Sequence, residues 1–186
     1  MQLFYATRDG QSRRIAERIF DRLTELKIPA QPYDLARTMP TPQRLGEARL
    51  IVLVAAIRYG RHLREAERFL AVYRALPTPP PLVFLSVSLV ARKPGKRTAE
   101  SNAYLRKAIA RHRLAPVLAM ALGGRLDYAR YGWVDKQIIR IIMKLTGGPT
   151  NPDACVEYTP WDEVDAIAVR IGELYDGGQT VRAVAP

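Results

Sequence analysis

The chain has 186 residues, of which 48% are hydrophobic and 25% charged, so its composition is that of a globular protein and excludes wholesale disorder. This length favours one domain with a sizeable core. The formal net charge of +11, from 29 basic and 18 acidic residues, indicates an anionic partner such as nucleic acid, an anionic membrane surface or a polycarboxylate ligand.

The single cysteine, Cys155, excludes an internal disulfide and a cysteine-based metal cluster. The N-terminus lacks the basic and apolar regions of a signal peptide, and no apolar run approaches the roughly 18 residues of a spanning helix. We therefore expect a cytoplasmic protein that binds no metal and does not cross a bilayer.

Short apolar runs alternate with helical patterns along the chain. Strands are predicted over Gln2 to Ala6, Ala30 to Asp34, Leu50 to Ala56, Leu82 to Ser88 and Pro116 to Leu122. Helices are predicted over Ser12 to Lys27, His62 to Ala75, Ala99 to His112 and Trp161 to Tyr175. This alternation predicts an α/β fold with a parallel sheet covered on both faces, in a single domain over residues 1–176 with a loose tail over 177–186.

The first strand runs into the loop of LFYATRDGQS, just before the first helix. In a parallel sheet, ligands bind beyond the C-terminal strand ends, where the N–H groups of a helix N-terminus favour phosphate. The loop satisfies the flavodoxin-type phosphate pattern and neither the Walker nor the GxGxxG pattern, which favours FMN. Taken alone, a helix cap at Ser12 and a turn at Gly10 would explain it equally well. The predicted phosphate site is Thr7, Arg8, Asp9, Gly10, Gln11 and Ser12.

Two further loops follow the third and fourth strands and should flank the flavin ring. In AAIRYG, Tyr59 would stack on the ring and Arg58 would meet negative charge; in SVSLVARKPGKRT, backbone amides would reach the ring edge. Taken singly, a packed turn aromatic and a solvated basic surface are the ordinary interpretations. The residues assigned to the ring are Ala56, Ile57, Arg58, Tyr59, Gly60, Ser86, Val87, Ser88, Leu89, Val90 and Ala91.

Several stretches of the chain together resemble one family. They are TRDGQSR, IRYG, SVSLVARKPGKRT, SNAYLRK, YARYGWVDKQIIRIIMKLTGG and VEYTPWDEV. On these stretches, which span about Leu3 to Leu174, the chain resembles the quinone-dependent protoporphyrinogen IX dehydrogenases of bacterial heme synthesis. The resemblance implies a flavodoxin-like five-stranded sheet in the order 2-1-3-4-5 and oxidation of protoporphyrinogen IX by bound FMN. It also implies electron transfer to menaquinone or ubiquinone.

The resemblance carries the flavin contacts over to Thr7 to Gln11 and to the segment from Ser86. The chain departs from the relatives where Arg61, His62 and Leu63 replace a histidine-rich continuation, and where Ser88 stands in place of an expected Asn. The catalytic candidates are Tyr59, His62 and Arg58, and both histidines, His62 and His112, are expected on the surface.

Residues 123–149, after or within the fifth strand, form an insertion that a minimal flavodoxin lacks. A basic amphipathic helix is predicted there, with Val134, Ile138, Ile141, Ile142 and Leu145 on one face. It would lie on an anionic membrane at the inner face of the cell, cover a hydrophobic anionic ligand, or merely cover the sheet edge. The insertion and a basic rim after the fourth strand would form the mouth for substrate or membrane, with Arg92, Lys93, Arg97, Arg125, Arg130, Tyr131, Trp133, Lys136, Arg140 and Lys144.

Three other functions remain open from the sequence. A flavodoxin-like NAD(P)H:quinone reductase would share the phosphate loop, and so would a non-catalytic electron-transfer flavodoxin, although such flavodoxins are usually acidic. A nucleic-acid binder would explain the charge but not the loop, and neither a zinc spacing nor an RNP-type motif supports it. The sequence also leaves the oligomeric state open, a homo-oligomer included.

Overall fold

The computed structural model describes residues 1–130, 132–146, 149, 151 and 154–183. The strands are β1 (Gln2–Ala6), β2 (Pro32–Asp34), β3 (Ile51–Arg58), β4 (Arg61–His62), β5 (Leu82–Ser88), β6 (Leu118–Gly123), β7 (Arg125–Asp127) and β8 (Cys155–Glu157). The α-helices are α1 (Gln11–Glu25), α2 (Pro42–Gly46), α3 (Arg64–Arg74), α4 (Ala103–His112), α5 (Trp133–Thr146) and α6 (Trp161–Ala183).

A parallel sheet forms the centre of the protein, in the order β2-β1-β3-β5-β6. Leu3 of β1 pairs with Val52 of β3, which pairs in turn with Val83 of β5. These strands read as continuous apolar runs because both faces of the sheet are buried. The predicted fold and the predicted order of the long strands are thereby confirmed.

Helices cover the sheet on both faces and form two hydrophobic cores. On one face, α1 and α6 pack on alternate residues of β1, β3 and β5, as Ile15 and Ile171 do, both 0% exposed. On the other face, α3 and α4 pack through residues such as Phe69, whose ring centroid lies 4.9 Å from that of Phe4. This two-sided burial leaves the C-terminal strand ends as the open edge of the sheet.

The insertion differs from its predicted form, because β7 and β8 pair as a separate antiparallel ribbon. Helix α5 packs on this ribbon through Met143, which is fully buried beside Leu126 and Tyr128. Ile141, predicted on the apolar face of this helix, is 60% exposed. The ribbon determines which residues of α5 are buried. Its three-residue strands are too short to show a periodic pattern in the sequence. The side chains of Val134, Ile142 and Leu145 lie outside the described residues.

The last helix also extends beyond its predicted end at Tyr175, because its backbone continues to Ala183. The pair Gly177 and Gly178 indicated a tail, but each glycine costs only about 1 kcal/mol in a helix interior relative to alanine. The predicted tail is therefore helical up to Ala183, and residues 184–186 lie outside the described residues. Over the part of the chain that the structure describes, no helix is long and apolar enough to span a bilayer.

Candidate active site

A cavity of about 180 Å³ lies at the C-terminal edge of the parallel sheet. The loops after β1, β3 and β5 meet there, and α4, α5 and the start of the insertion complete the walls. The lining residues are Thr7, Asp9, Gln11, Ser12, Ala56, Ile57, Arg58, Tyr59, Gly60, Val87, Ser88, Leu89, Val90, Tyr104, Gly124, Arg125, Ile138 and Ile139.

The loop after β1 turns sharply into α1 at Gly10. Gly10 is the N-cap residue and has a φ of 88°, a left-handed conformation that suits glycine. Its N–H donates to Thr7 Oγ1 over 3.0 Å, which closes the turn. No side-chain hydrogen bond caps this helix start, and Ser12 in its first turn is fully buried. Within the described residues, Ser12 Oγ has no hydrogen-bond partner.

A polar network ties this loop to the insertion. Gln11 Nε2 donates to Glu157 Oε1 over 2.5 Å and to Thr159 Oγ1 over 2.7 Å. Arg14 donates to the other Glu157 oxygen over 2.7 Å. Thr159 Oγ1 in turn donates to the carbonyl of Gly123 over 2.9 Å. The first turn of α1 and the β7–β8 ribbon are therefore held together across one wall of the cavity.

The loop after β3 is a tight hairpin into β4. Tyr59 and Gly60 have φ values of 50° and 77°, the positive pair that a type I′ turn requires. Arg58 forms a 3.0 Å ion pair with Asp9, which joins this hairpin to the loop after β1. Tyr59 is 64% exposed at the rim, with the Arg58 guanidinium 5.5 Å from its ring centroid.

His62 is buried, which corrects the expectation that it lies on the surface. It belongs to β4, is 5% exposed, and its Nε2 lies 3.0 Å from Ser86 Oγ. Its ring packs on Phe84 at 5.1 Å between centroids. Burial lowers the pKa of His62 to about 4, so the imidazole is neutral at pH 7. It does not line the cavity, and its contacts are those of an anchor for the hairpin.

The loop after β5 supplies a second buried hydroxyl. Ser88 is 7% exposed and lines the cavity, and Ser88 Oγ lacks a hydrogen-bond partner among the described residues. Downstream, Arg92 donates to the carbonyl of Leu89 over 2.9 Å. Arg97 donates to the carbonyl of Ala91 and pairs with Glu163 of α6. Arg97 thus joins the loop to α6, whereas Lys93 is exposed to solvent.

Some residues predicted to contact the flavin lie away from the cavity wall. Arg8 is exposed, Gly10 forms the turn, Ser86 contacts His62, and Ala91 is fully buried in the core. The other predicted flavin residues all line the cavity. Ser86 lies on the same face of β5 as Ser88 but two residues, roughly 6–7 Å, before the strand end, so its hydroxyl does not reach the cavity.

Four lining residues were not predicted from the sequence: Tyr104, Gly124, Ile138 and Ile139. Tyr104 follows Asn102, whose buried side chain caps α4 by accepting from the Tyr104 and Leu105 N–H groups. The Asn102 cap could have indicated that Tyr104 lies near the cavity, because it starts a helix at the same sheet edge. Ile138 and Ile139 reach the cavity through the packing of α5 on the unpredicted ribbon.

Of the residues predicted for substrate or membrane whose side chains the structure describes, only Arg125 lines the cavity, and it also pairs with Asp127 over 3.0 Å. The outer face of α5 exposes apolar and cationic groups together. Trp133 is 77% and Ile141 60% exposed, Arg140 and Lys144 are exposed, and Lys136 is half-buried. Tyr131 and the side chain of Arg130 lie outside the described residues.

The wall fits a ligand that has an anionic group and an apolar ring system. A buried hydroxyl without a partner costs about 1–3 kcal/mol, so Ser12 and Ser88 mark places where a polar ligand would complete the hydrogen bonding. Ser12 lies at a helix N-terminus, which favours an anion. Aliphatic residues such as Val87 and Ile139 supply the apolar wall. Among the described residues, no cluster of His, Cys, Asp or Glu could hold a metal.

Comparison with known proteins agrees with this geometry. Residues 2–153 match the family model of the flavodoxin domain. Protoporphyrinogen IX dehydrogenase [quinone] from Escherichia coli K12 is 37% identical over 94% of this chain and 95% of its own. The protein of that name from Leishmania major is 32% identical over 89% of this chain and 71% of its own. Oxidised flavodoxin 1 from Bacillus cereus superposes with a TM-score of 0.54 at 13% identity, covering 95% of this chain and 96% of that one.

Proposed function

The chain belongs to the flavodoxin-like family of the quinone-dependent protoporphyrinogen IX dehydrogenases, and we propose that it oxidises protoporphyrinogen IX to protoporphyrin IX with FMN, passing the electrons to a membrane quinone. The flavodoxin domain implies a flavin cofactor. The proposal that this flavin is FMN rests on one observation, the buried and unpartnered Ser12 hydroxyl beside a helix start that no side chain caps.

In this proposal, Ser12 and the first N–H groups of α1 hold the phosphate of FMN, and Gly10 permits the turn around it. Ser88 and the backbone after β5 meet the polar edge of the ring. Tyr59 and Tyr104 flank the ring at the mouth, and Gly60 allows the tight hairpin that brings Tyr59 there.

Flavin titration separates the two hydroxyls. Ser12→Ala should weaken FMN binding about tenfold, the effect of losing one hydrogen bond to a charged group, and leave riboflavin binding unchanged. Ser88→Ala should weaken the binding of FMN and of riboflavin equally, because Ser88 contacts the ring that the two flavins share. Fluorescence quenching of each flavin measures the dissociation constants. An equal effect of Ser12→Ala on both ligands would exclude Ser12 from the phosphate site.

Bound FMN supplies the redox chemistry by accepting two electrons at a time. Complete oxidation of the porphyrinogen removes six electrons and six protons, which three quinones take up as they become quinols. The chain binds and orients the substrate over the cavity, and the apolar walls from β5 and α5 limit the access of water. His62 is neutral and lies off the cavity, so we assign proton exchange to solvent at the mouth, where Tyr59 is 64% exposed, and the six protons released by the substrate equal the six that the quinones take up.

An anaerobic assay tests the activity directly. Purified protein with FMN, protoporphyrinogen IX and either menaquinone or ubiquinone should develop porphyrin fluorescence, and the preferred quinone is the one reduced faster. NADH added in place of the porphyrinogen should leave the quinone oxidised. Rapid quinone reduction by NADH without porphyrin formation would instead identify an NAD(P)H:quinone reductase.

The quinone requires access to a bilayer, and the outer face of α5 suits one at the cytoplasmic side of the cell membrane. Trp133 and Ile141 would enter the interfacial region while Arg140 and Lys144 meet anionic headgroups. A helix of this kind lies in the interface rather than across it, which is compatible with the lack of a spanning helix among the described residues.

Vesicle flotation tests the membrane contact. The double variant Trp133→Ser/Ile141→Ser should lose binding to vesicles rich in phosphatidylglycerol, and binding of the unchanged protein should weaken in neutral vesicles and in high salt. Val169→Ser is the matched control, because Val169 is 46% exposed on α6. Undiminished flotation of the double variant would reject α5 as the membrane contact.

A further inference from the structure

The turn of the β3–β4 hairpin, Tyr59 and Gly60, lines the cavity, and an arginine flanks it on each side. The register of the hairpin pairs Ile57 with His62 and Arg58 with Arg61. Directly paired residues of antiparallel strands extend their side chains to the same face of the hairpin. Arg61 therefore lies on the face of Arg58, which lines the cavity.

The hairpin is held rigidly. Its other face carries His62, which is buried against Phe84 and contacts Ser86 Oγ. The Leu63 N–H continues the strand pairing by donating to the carbonyl of Ala56 over 3.1 Å. At the tip, Tyr59 keeps a left-handed φ of 50°, a conformation that a residue other than glycine adopts at some energetic cost.

The two arginines differ in their counter-charges. Arg58 is 16% exposed in its side chain and pairs with Asp9. Arg61 is exposed and forms no ion pair with any residue that the structure describes. Like charges in directly opposed positions destabilise a strand pair, so an additional anion beside Arg61 would stabilise the hairpin.

We propose that Arg61 is a specificity-determining residue that binds a carboxylate of the substrate at the mouth of the cavity, with Arg58 held beside it by Asp9. This proposal rests on the proposed function and deepens it, since protoporphyrinogen IX carries two propionates. A guanidinium can hold a carboxylate through two parallel hydrogen bonds, which fixes the orientation of the macrocycle as well as its charge.

The test compares Arg61→Gln with Arg64→Gln in the protein loaded with FMN. Arg64 is also exposed but lies in α3, outside the pairing of β3 with β4. Arg61→Gln should raise KM for protoporphyrinogen IX about fivefold with kcat nearly unchanged, the size expected for one partly exposed ion pair. The dimethyl ester of the substrate, which lacks the carboxylates, should show no such increase. Arg61→Lys should recover part of the loss.

A binding measurement separates this inference from the proposed function. The affinity for protoporphyrin IX, measured by its fluorescence without turnover, should fall about fivefold in Arg61→Gln and stay constant in Arg64→Gln. If the protein catalyses no oxidation but Arg61→Gln still loses affinity, the carboxylate site stands and the proposed function falls. Equal affinities of Arg61→Gln and the unchanged protein, or equal KM increases for the diacid and its ester, would overturn the inference.

Discussion

Acidification should destabilise the protein through His62, the anchor of the hairpin. Burial lowers the pKa of this imidazole from its ordinary value of 6.5 to about 4. Among smaller effects, the charge of Glu67 raises the pKa, whereas Arg111 and His112 lower it further. Between those two pH values the unfolded chain binds a proton that the folded protein excludes. The stabilisation is therefore complete above pH 6.5 and is lost progressively as the pH falls toward 4.

The size of the effect follows from the two pKa values. Linkage with a native pKa of about 4 and an unfolded pKa of 6.5 removes about 2 kcal/mol from the free energy of unfolding between pH 7 and pH 5. Urea unfolding of the flavin-free protein measures this difference, so that flavin affinity does not contribute. His62→Gln keeps a polar side chain without the titration, and its free energy of unfolding should fall by about 2 kcal/mol less over the same interval.

Comparing the change in the free energy of unfolding with pH in the two proteins removes the contribution of all other titrating groups. The comparison is valid even if His62→Gln is less stable than the unchanged protein at pH 7. Proton NMR gives a second measurement, because the His62 ring resonance should titrate near pH 4. Parallel pH profiles for the two proteins, or a His62 midpoint near 6.5, would refute the argument that burial keeps this ring neutral.

Three substitutions test the packing around the site. Gly123→Ala should destabilise the protein by about 1–3 kcal/mol, because the added Cβ would lie 2.2 Å from the Tyr158 carbonyl oxygen. Gly46→Ala is the control, because the space around its Cβ is open, and it should not destabilise the protein. Thermal unfolding compares the two variants. Phe69→Ala should remove about 3–5 kcal/mol in urea unfolding because the ring is fully buried. Asn102→Ala should cost about 1 kcal/mol of stability through its lost helix cap, and an unchanged midpoint would contradict that role.

Local patterns were sufficient for the main features of the fold. The long apolar strands and the amphipathic helices have clear periodicities, so their succession along the chain and the parallel sheet were predictable, whereas the order of strands in the sheet was implied by the family resemblance. The loop after β1 was recognisable as a candidate ligand site, because its spacing depends on neighbouring residues alone, and phosphate binding there stays a prediction. The family resemblance of the stretches TRDGQSR, IRYG and SVSLVARKPGKRT is confirmed by relatives that match nearly the whole chain.

The short elements were not predictable in the same way. The strands β4, β7 and β8 have two or three residues each, too few for a periodic pattern. The ribbon of β7 and β8 exists because residues distant in the chain pair, as Leu126 does with Val156. Without that ribbon, the residues of the apolar face of α5 that become buried could not be told from those that stay exposed, such as Ile141.

The sequence by itself determined which loops meet at the sheet edge, because strands that alternate with helices along the chain run parallel, and parallel strands have their C-terminal ends at one edge. Only the tertiary structure decided what each polar residue does there. It paired Arg97 with Glu163, buried His62 against Phe84 and joined Gln11 to Glu157, 146 positions along the chain. Burial and charge pairing depend on which distant residues arrive in contact, and no local pattern records that contact.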